Sequence, residues 1–84
     1  MPYFLYIVQS GKDGSYYIGS TQDISERIER HNQGRSKYTK AKKPWELVYR
    51  EKFEDRSAAM KREMEIKRHK KRKFIEELVR TSRL

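Results

Sequence analysis

The chain has 84 residues with 21 Lys plus Arg against 12 Asp plus Glu, a formal charge of +9. That length supports one domain and excludes a two-domain enzyme, while the absence of Cys excludes disulfides, thiolate nucleophiles and zinc fingers. Its longest apolar run, Tyr3 to Val8, falls far short of the ~20 residues that span a bilayer, so no membrane partner is expected and a reducing cytoplasm is the expected setting.

Tyr3-Phe4-Leu5-Tyr6-Ile7-Val8 is aromatic, β-branched and continuously hydrophobic, the pattern of a central strand covered on both faces. Gly11-Lys12-Asp13-Gly14 supplies turn formers and Tyr16-Tyr17-Ile18 follows, so residues 3 to 20 read as a β-hairpin. Gly19 marks a place where the backbone needs room or a positive φ. Asp23, Glu26 and Gly34 frame a helix from about 24 to 33. Its inward stripe is Ile24, Arg27, Ile28 and His31, so an arginine and a histidine share the core-facing side with two isoleucines.

Residues 35 to 43 carry Arg35, Lys37, Lys40, Lys42 and Lys43 without an acid or a helical apolar period, and read as a basic loop interleaved with Tyr38. After Pro44, the positions Trp45, Leu47, Tyr49 and Phe53 alternate with polar residues, predicting a third strand with one covered face. Asp55 or Ser57 caps a second helix with the stripe Ala59, Met60, Met64 and Ile66, and Glu63 falls in its middle. From about Lys70 a third helix or a bent continuation places Phe74, Ile75, Leu78 and Val79 on one side. The chain is thus read as one domain over 1–84, with a core of about 3–68 and a basic C-terminal helix of about 70–83.

Charged groups on inward helix faces are costly unless paired or bound to a ligand. Arg27, His31 and Glu63 therefore have two readings: a buried Arg27 to Glu63 ion pair with His31 as a hydrogen-bonder, or a functional site. Strand tyrosines such as Tyr6 and Tyr17 ordinarily serve packing. The basic stretch 35–43 and the run Lys67-Arg68-His69-Lys70-Lys71-Arg72-Lys73, with the overall charge, point to phosphate binding without separating DNA from RNA.

Taken in order, Tyr6 in a first strand, Tyr17-Ile18-Gly19 in a second, Arg27 and His31 four apart on a helix, and Glu63 on a later helix resemble the GIY-YIG nuclease superfamily. The segments Arg27 to Asn32, Tyr38-Thr39, Pro44 to Tyr49 and Arg62 to Lys67 are similar to its small single-domain branch, the URI-type domain. The resemblance implies an α+β fold, a three-stranded antiparallel sheet flanked by helices, and metal-dependent hydrolysis of DNA phosphodiester bonds. It implies that Glu63 holds Mg²⁺ (or Mn²⁺), that Arg27 binds phosphate oxygens, and that Tyr6 deprotonates or orients water, aided by Tyr17 and His31. A single carboxylate suits an ion that keeps most of its waters. A free tyrosine titrates near ~10, so Tyr6 needs a nearby cation or a metal-bound water network to act as a base. Nucleic-acid contacts are expected from Arg35, Lys37, Tyr38, Lys40, Lys42, Lys43, Lys67, Lys70 and Lys71. The alternatives are a non-catalytic nucleic-acid-binding module with the same fold and a basic domain that delivers a partner nuclease.

Overall fold

A computed structural model describes residues 2–34, 37–69 and 71–82. The order of elements is β1 (Tyr3–Ser10), β2 (Tyr16–Thr21), α1 (Ile24–Gln33), α2 (Lys37–Lys42), β3 (Trp45–Phe53), α3 (Arg56–His69) and α4 (Arg72–Thr81). The three strands form one antiparallel sheet in the order β2-β1-β3. The expected α+β architecture is present, with the continuous hydrophobic run of β1 in the centre. Leu5, Tyr6, Ile7 and Val8 are fully buried, as a strand with both faces covered requires.

Because side chains alternate along β1, two cores form on opposite faces of the sheet. Leu5 and Ile7 join Ile66 of α3 and Phe74, Ile75 and Leu78 of α4 on one face. Tyr6 and Val8 join Trp45, Tyr17 and the α1 residues Ile24 and Ile28 on the other. A Leu5→Ala truncation is expected to cost about 2–5 kcal/mol. That is a large share of the ~4–12 kcal/mol available to a domain of this size.

The helix limits follow local chemistry. Asp23 accepts the Glu26 N–H at 3.0 Å and Gly34 ends α1 at φ 70°, its N–H returning to the His31 carbonyl, the left-handed stop glycine tolerates best. Asp55, not Ser57, caps the next helix by accepting the Ala58 N–H at 2.9 Å.

Three expectations are corrected. The basic segment is not all loop, since residues 37–42 form α2, a helix with one buried residue, Thr39, too short to show a periodic stripe. The third strand does not cover only one face. The register passes from Ile7 opposite Tyr49 to Val8 opposite Leu47, and this bulge shifts the alternation. Trp45 and Leu47 therefore face the Tyr6 core while Tyr49 and Phe53 face the Leu5 core. In α3 the inward stripe is Ala59, Arg62, Glu63 and Ile66, spaced i, i+3, i+4, i+7, which turns Met60 and Met64 outward at 41% and 59% exposure. No described helix is long and apolar enough to cross a membrane.

Candidate active site at the outer edge of strand β2

Strand β2 is an outer strand of the sheet, and two consecutive residues in it receive groups from opposite faces. Gly19 pairs with Tyr6 and Ser20 with Leu5. On the α1 face the Tyr6 ring lies over Gly19 so closely that a Cβ there would sit 2.6 Å from the phenol oxygen. The glycine is required for that room, and its φ is not in the left-handed region. On the α3 face the Ser20 hydroxyl donates to Glu63 Oε1 at 2.9 Å. One dipeptide thus seats the tyrosine and the glutamate.

The Tyr6 hydroxyl lies 3.1 Å from His31 Nε2 in the buried Tyr6 core. Burial pushes the Tyr6 phenol up to about 12, with the nearby Arg27 guanidinium pulling the other way and Tyr17 and Glu63 reinforcing the rise. Tyr6 is therefore a neutral phenol at physiological pH. Burial first, and the Arg27 charge second, lower the pKa of His31 from 6.5, so the imidazole is also neutral and can accept or donate the bond to Tyr6. The Tyr17 and His31 rings meet edge-on with centroids 4.7 Å apart, and Trp45 completes a triangle at 6.0 Å from His31 and 6.2 Å from Tyr17. Tyr17 and His31 are so placed by β2 and by the last turn of α1.

Arg27 stands one turn before His31. Its Nε is buried and has no hydrogen-bond partner among the described residues. The Arg27 to Glu63 ion pair, one of the two readings of these residues, is absent among the described residues. Glu63 is bound instead by Ser20 and by Lys67, whose ammonium lies 2.6 Å from Oε2. A buried guanidinium donor without an acceptor is unfavourable in an isolated protein and well matched to an incoming oxyanion.

No group of three or more His, Asp or Glu able to hold a metal occurs among the described residues. Glu63 nevertheless offers a hard carboxylate beside a serine hydroxyl at a partly open position, its side chain 20% exposed. This donor set fits Mg²⁺, which completes its shell with water and substrate oxygens, and does not fit a closed all-protein metal cage.

The expected phosphate contacts divide. Lys37, Tyr38, Lys40 and Lys43 are exposed, and Tyr38 stacks on Trp45 and approaches Tyr17, so α2 carries its lysines at the Tyr17 end of the site. Lys42 bonds Asp13 and Ser15 across to the hairpin loop and covers the Tyr38 ring. The Asp13 carboxylate raises the pKa of Lys42, which is a fastening of α2 rather than a free cation. Lys67 is engaged with Glu63, Lys71 is exposed ahead of α4, and Arg35 and Lys70 lie outside the described residues.

Sequence reasoning missed three supports. Ser20 had no signal beyond following Gly19. Asn32 accepts the Trp45 N–H at 2.6 Å and donates to the Trp45 carbonyl at 3.1 Å, tying the His31 end of α1 to β3. The Trp45 indole N–H donates to the Thr39 carbonyl at 3.0 Å, and only the Pro44-Trp45 motif hinted at this role.

Comparisons with known proteins converge on one family. The profile of the GIY-YIG catalytic domain matches residues 2–76. The chain is 48% identical to a UPF0213 protein of Staphylococcus aureus and 51% identical to one of Staphylococcus saprophyticus, in each case over 89% of this chain and 95% of the relative. It also resembles the solution NMR structure of a UPF0213 protein from Bacillus halodurans, with a TM-score of 0.59 and 39% identity, covering 94% of this chain and 83% of that one.

Proposed function

The chain belongs to the GIY-YIG family of nuclease-like domains, and from its site geometry we propose that it hydrolyses DNA phosphodiester bonds with the help of Mg²⁺ or Mn²⁺. The observation that carries this reading is the buried Arg27 Nε, without a partner among the described residues, near the neutral, buried Tyr6 to His31 pair that lies against the outer strand β2. A non-bridging phosphate oxygen satisfies that donor once the Arg27 side chain turns Nε toward the substrate, and the guanidinium stabilises the charge that grows there as water attacks.

The pKa directions shape the proton path. A phenol near 12 is a poor base by itself. The Tyr6 oxygen accepts the proton of the attacking water as its own proton passes to His31 Nε2, which requires the tautomer protonated at Nδ1. His31 becomes imidazolium in that step. In the free chain burial chiefly, and the Arg27 charge second, oppose this, and a bound phosphate offsets the Arg27 contribution. Glu63 and the Ser20 hydroxyl would hold the divalent cation, which when bound supplies Lewis-acid stabilisation of the leaving oxygen. The exposed Lys37, Lys40, Lys43 and Lys71 provide sequence-independent attraction to the backbone.

A second reading, a nucleic-acid-binding module without catalysis, is favoured by the Lys67 ammonium already seated on Glu63 Oε2. Incubation of the pure chain with branched, nicked, single-stranded and duplex DNA, and with RNA, separates the two. Cleavage that needs Mg²⁺ or Mn²⁺ and stops on chelation supports the enzyme. Salt-sensitive binding with no product under any metal condition supports the module, and cleavage of RNA alone overturns the DNA assignment.

A further inference from the structure

Glu63 has two oxygens, and each is already in use. Ser20 holds Oε1 at 2.9 Å and Lys67 holds Oε2 at 2.6 Å. The helical pairs Arg30 with Glu26, Arg72 with Glu76 and Arg80 with Glu77 are exposed at both ends and contribute little. The Lys67 pair differs because its acid is largely covered and fixed by β2, while the lysine is 53% exposed on a flexible stem. The ammonium can leave; the carboxylate cannot.

We propose that Lys67 gates the Glu63 oxygen used by the divalent cation, and that the DNA phosphate opens the gate by drawing the ammonium away. This inference rests on the metal-dependent reading above. In the free chain, a cation arriving at Oε2 meets a positive charge in the same lobe of the carboxylate, which weakens its binding. A polyanion laid across the β2 edge gives the ammonium another partner, and Oε2 becomes available. Metal and DNA therefore bind with positive coupling, and the coupling is reciprocal. The consequence is a chain that holds its metal weakly until substrate is present. Lys67 is here a positioning residue, acting through Glu63.

The test is a Mn²⁺ titration followed by electron paramagnetic resonance. It uses the full wild-type chain, Lys67→Met and Lys67→Arg, each without DNA and with an excess of a short oligonucleotide, the Mn²⁺ held by DNA alone being subtracted. Lys67→Met keeps the apolar stem and drops the charge, and should tighten Mn²⁺ in the DNA-free chain by about fivefold or more. Lys67→Arg, which retains the charge, should stay near wild type. DNA should tighten Mn²⁺ on the wild type toward the Lys67→Met value and move Lys67→Met much less. Equal Mn²⁺ affinity of wild type and Lys67→Met without DNA, or a wild type indifferent to DNA, overturns the gate while leaving a metal site. No Mn²⁺ on any of the three chains, with or without DNA, overturns the metal-dependent reading as well.

Discussion

Arg27 and Arg62 stand at equivalent places on opposite faces of the same sheet, each on the inward stripe of its helix, and their surroundings are opposite. Arg62 Nε donates to both oxygens of Glu51 at 3.1 Å, its other nitrogens reach Glu51 and Glu65, and Tyr49 also bonds Glu51. Arg27 has a buried Nε with no partner among the described residues. Full pairing makes Arg62 part of the fold, whereas the missing partner on Nε is what the proposed mechanism uses at Arg27. Substitutions at the two arginines can break this contrast.

The largest expected effect falls on Arg27. Arg27→Lys should lower cleavage about 100-fold or more, the scale of losing an oriented oxyanion donor, while melting temperature and DNA affinity change little. An equal loss of binding and turnover would make Arg27 a binding residue. Arg62→Met should do the reverse. It leaves Glu51 and its Tyr49 contact short of a cation and should cost about 1–3 kcal/mol, read as a lower melting temperature, with cleavage per folded molecule unchanged. A drop in specific activity would remove the distinction between the two faces.

Gly19→Ala sharpens the account at the joint between the faces. The added Cβ collides with the Tyr6 hydroxyl, so Tyr6 must leave His31, costing about 1–3 kcal/mol as an overpacked site and at least about tenfold in cleavage. Wild-type activity in this variant would show that the Tyr6 to His31 contact is dispensable.

The arrangement was legible where a residue's neighbours in sequence determine its environment. The six hydrophobic residues of β1, the Asp23 cap and the Gly34 stop define their elements locally, and Arg27 and His31 reveal themselves by sitting on an apolar helical stripe. What escaped depends on partners distant in sequence. The bulge opposite Ile7 and Val8 redirects β3 to both cores, and no local pattern encodes it. Met60 and Met64 fit an apolar stripe as well as the true one does, and only the docking of α3 on β2 and β1 selects Ala59 and Ile66. The partners of Glu63 split in the same way. Lys67 is a helical neighbour, whereas Ser20 is 43 residues away.

Acidification gives a smaller effect with a defined sign. The pKa of His31 is lowered in the folded chain, chiefly by burial and also by Arg27, so the unfolded chain binds the proton first. Stability is complete above ~6.5 and is lost as pH falls through the folded value. Cleavage should fall on acidification too, because a protonated imidazole cannot accept from Tyr6. Melting curves between pH 7 and 5 for wild type and His31→Gln check this, and equal slopes would place the titration elsewhere.

The mildest expectation separates the lysines of α2 and Lys43 just after it. Replacing Lys37, Lys40 and Lys43 by Ala should flatten the dependence of log K on log salt by about 2 to 3 without lowering the melting temperature. Lys42→Ala should lower the melting temperature slightly, through loss of the Asp13 and Ser15 contacts, and leave the slope nearly unchanged. A slope carried by Lys42 instead would reverse their assigned roles.

The most direct measurement is the ¹⁵N–¹H resonance of Arg27 Nε during titration with a short DNA oligonucleotide at neutral pH. This signal should shift strongly downfield and gain protection from exchange as phosphate meets the Arg27 Nε–H, while the Arg62 Nε signal stays where it was. An Arg27 Nε signal that does not move while exposed lysine-bearing segments respond to DNA would contradict the placing of Arg27 at the phosphate that reacts.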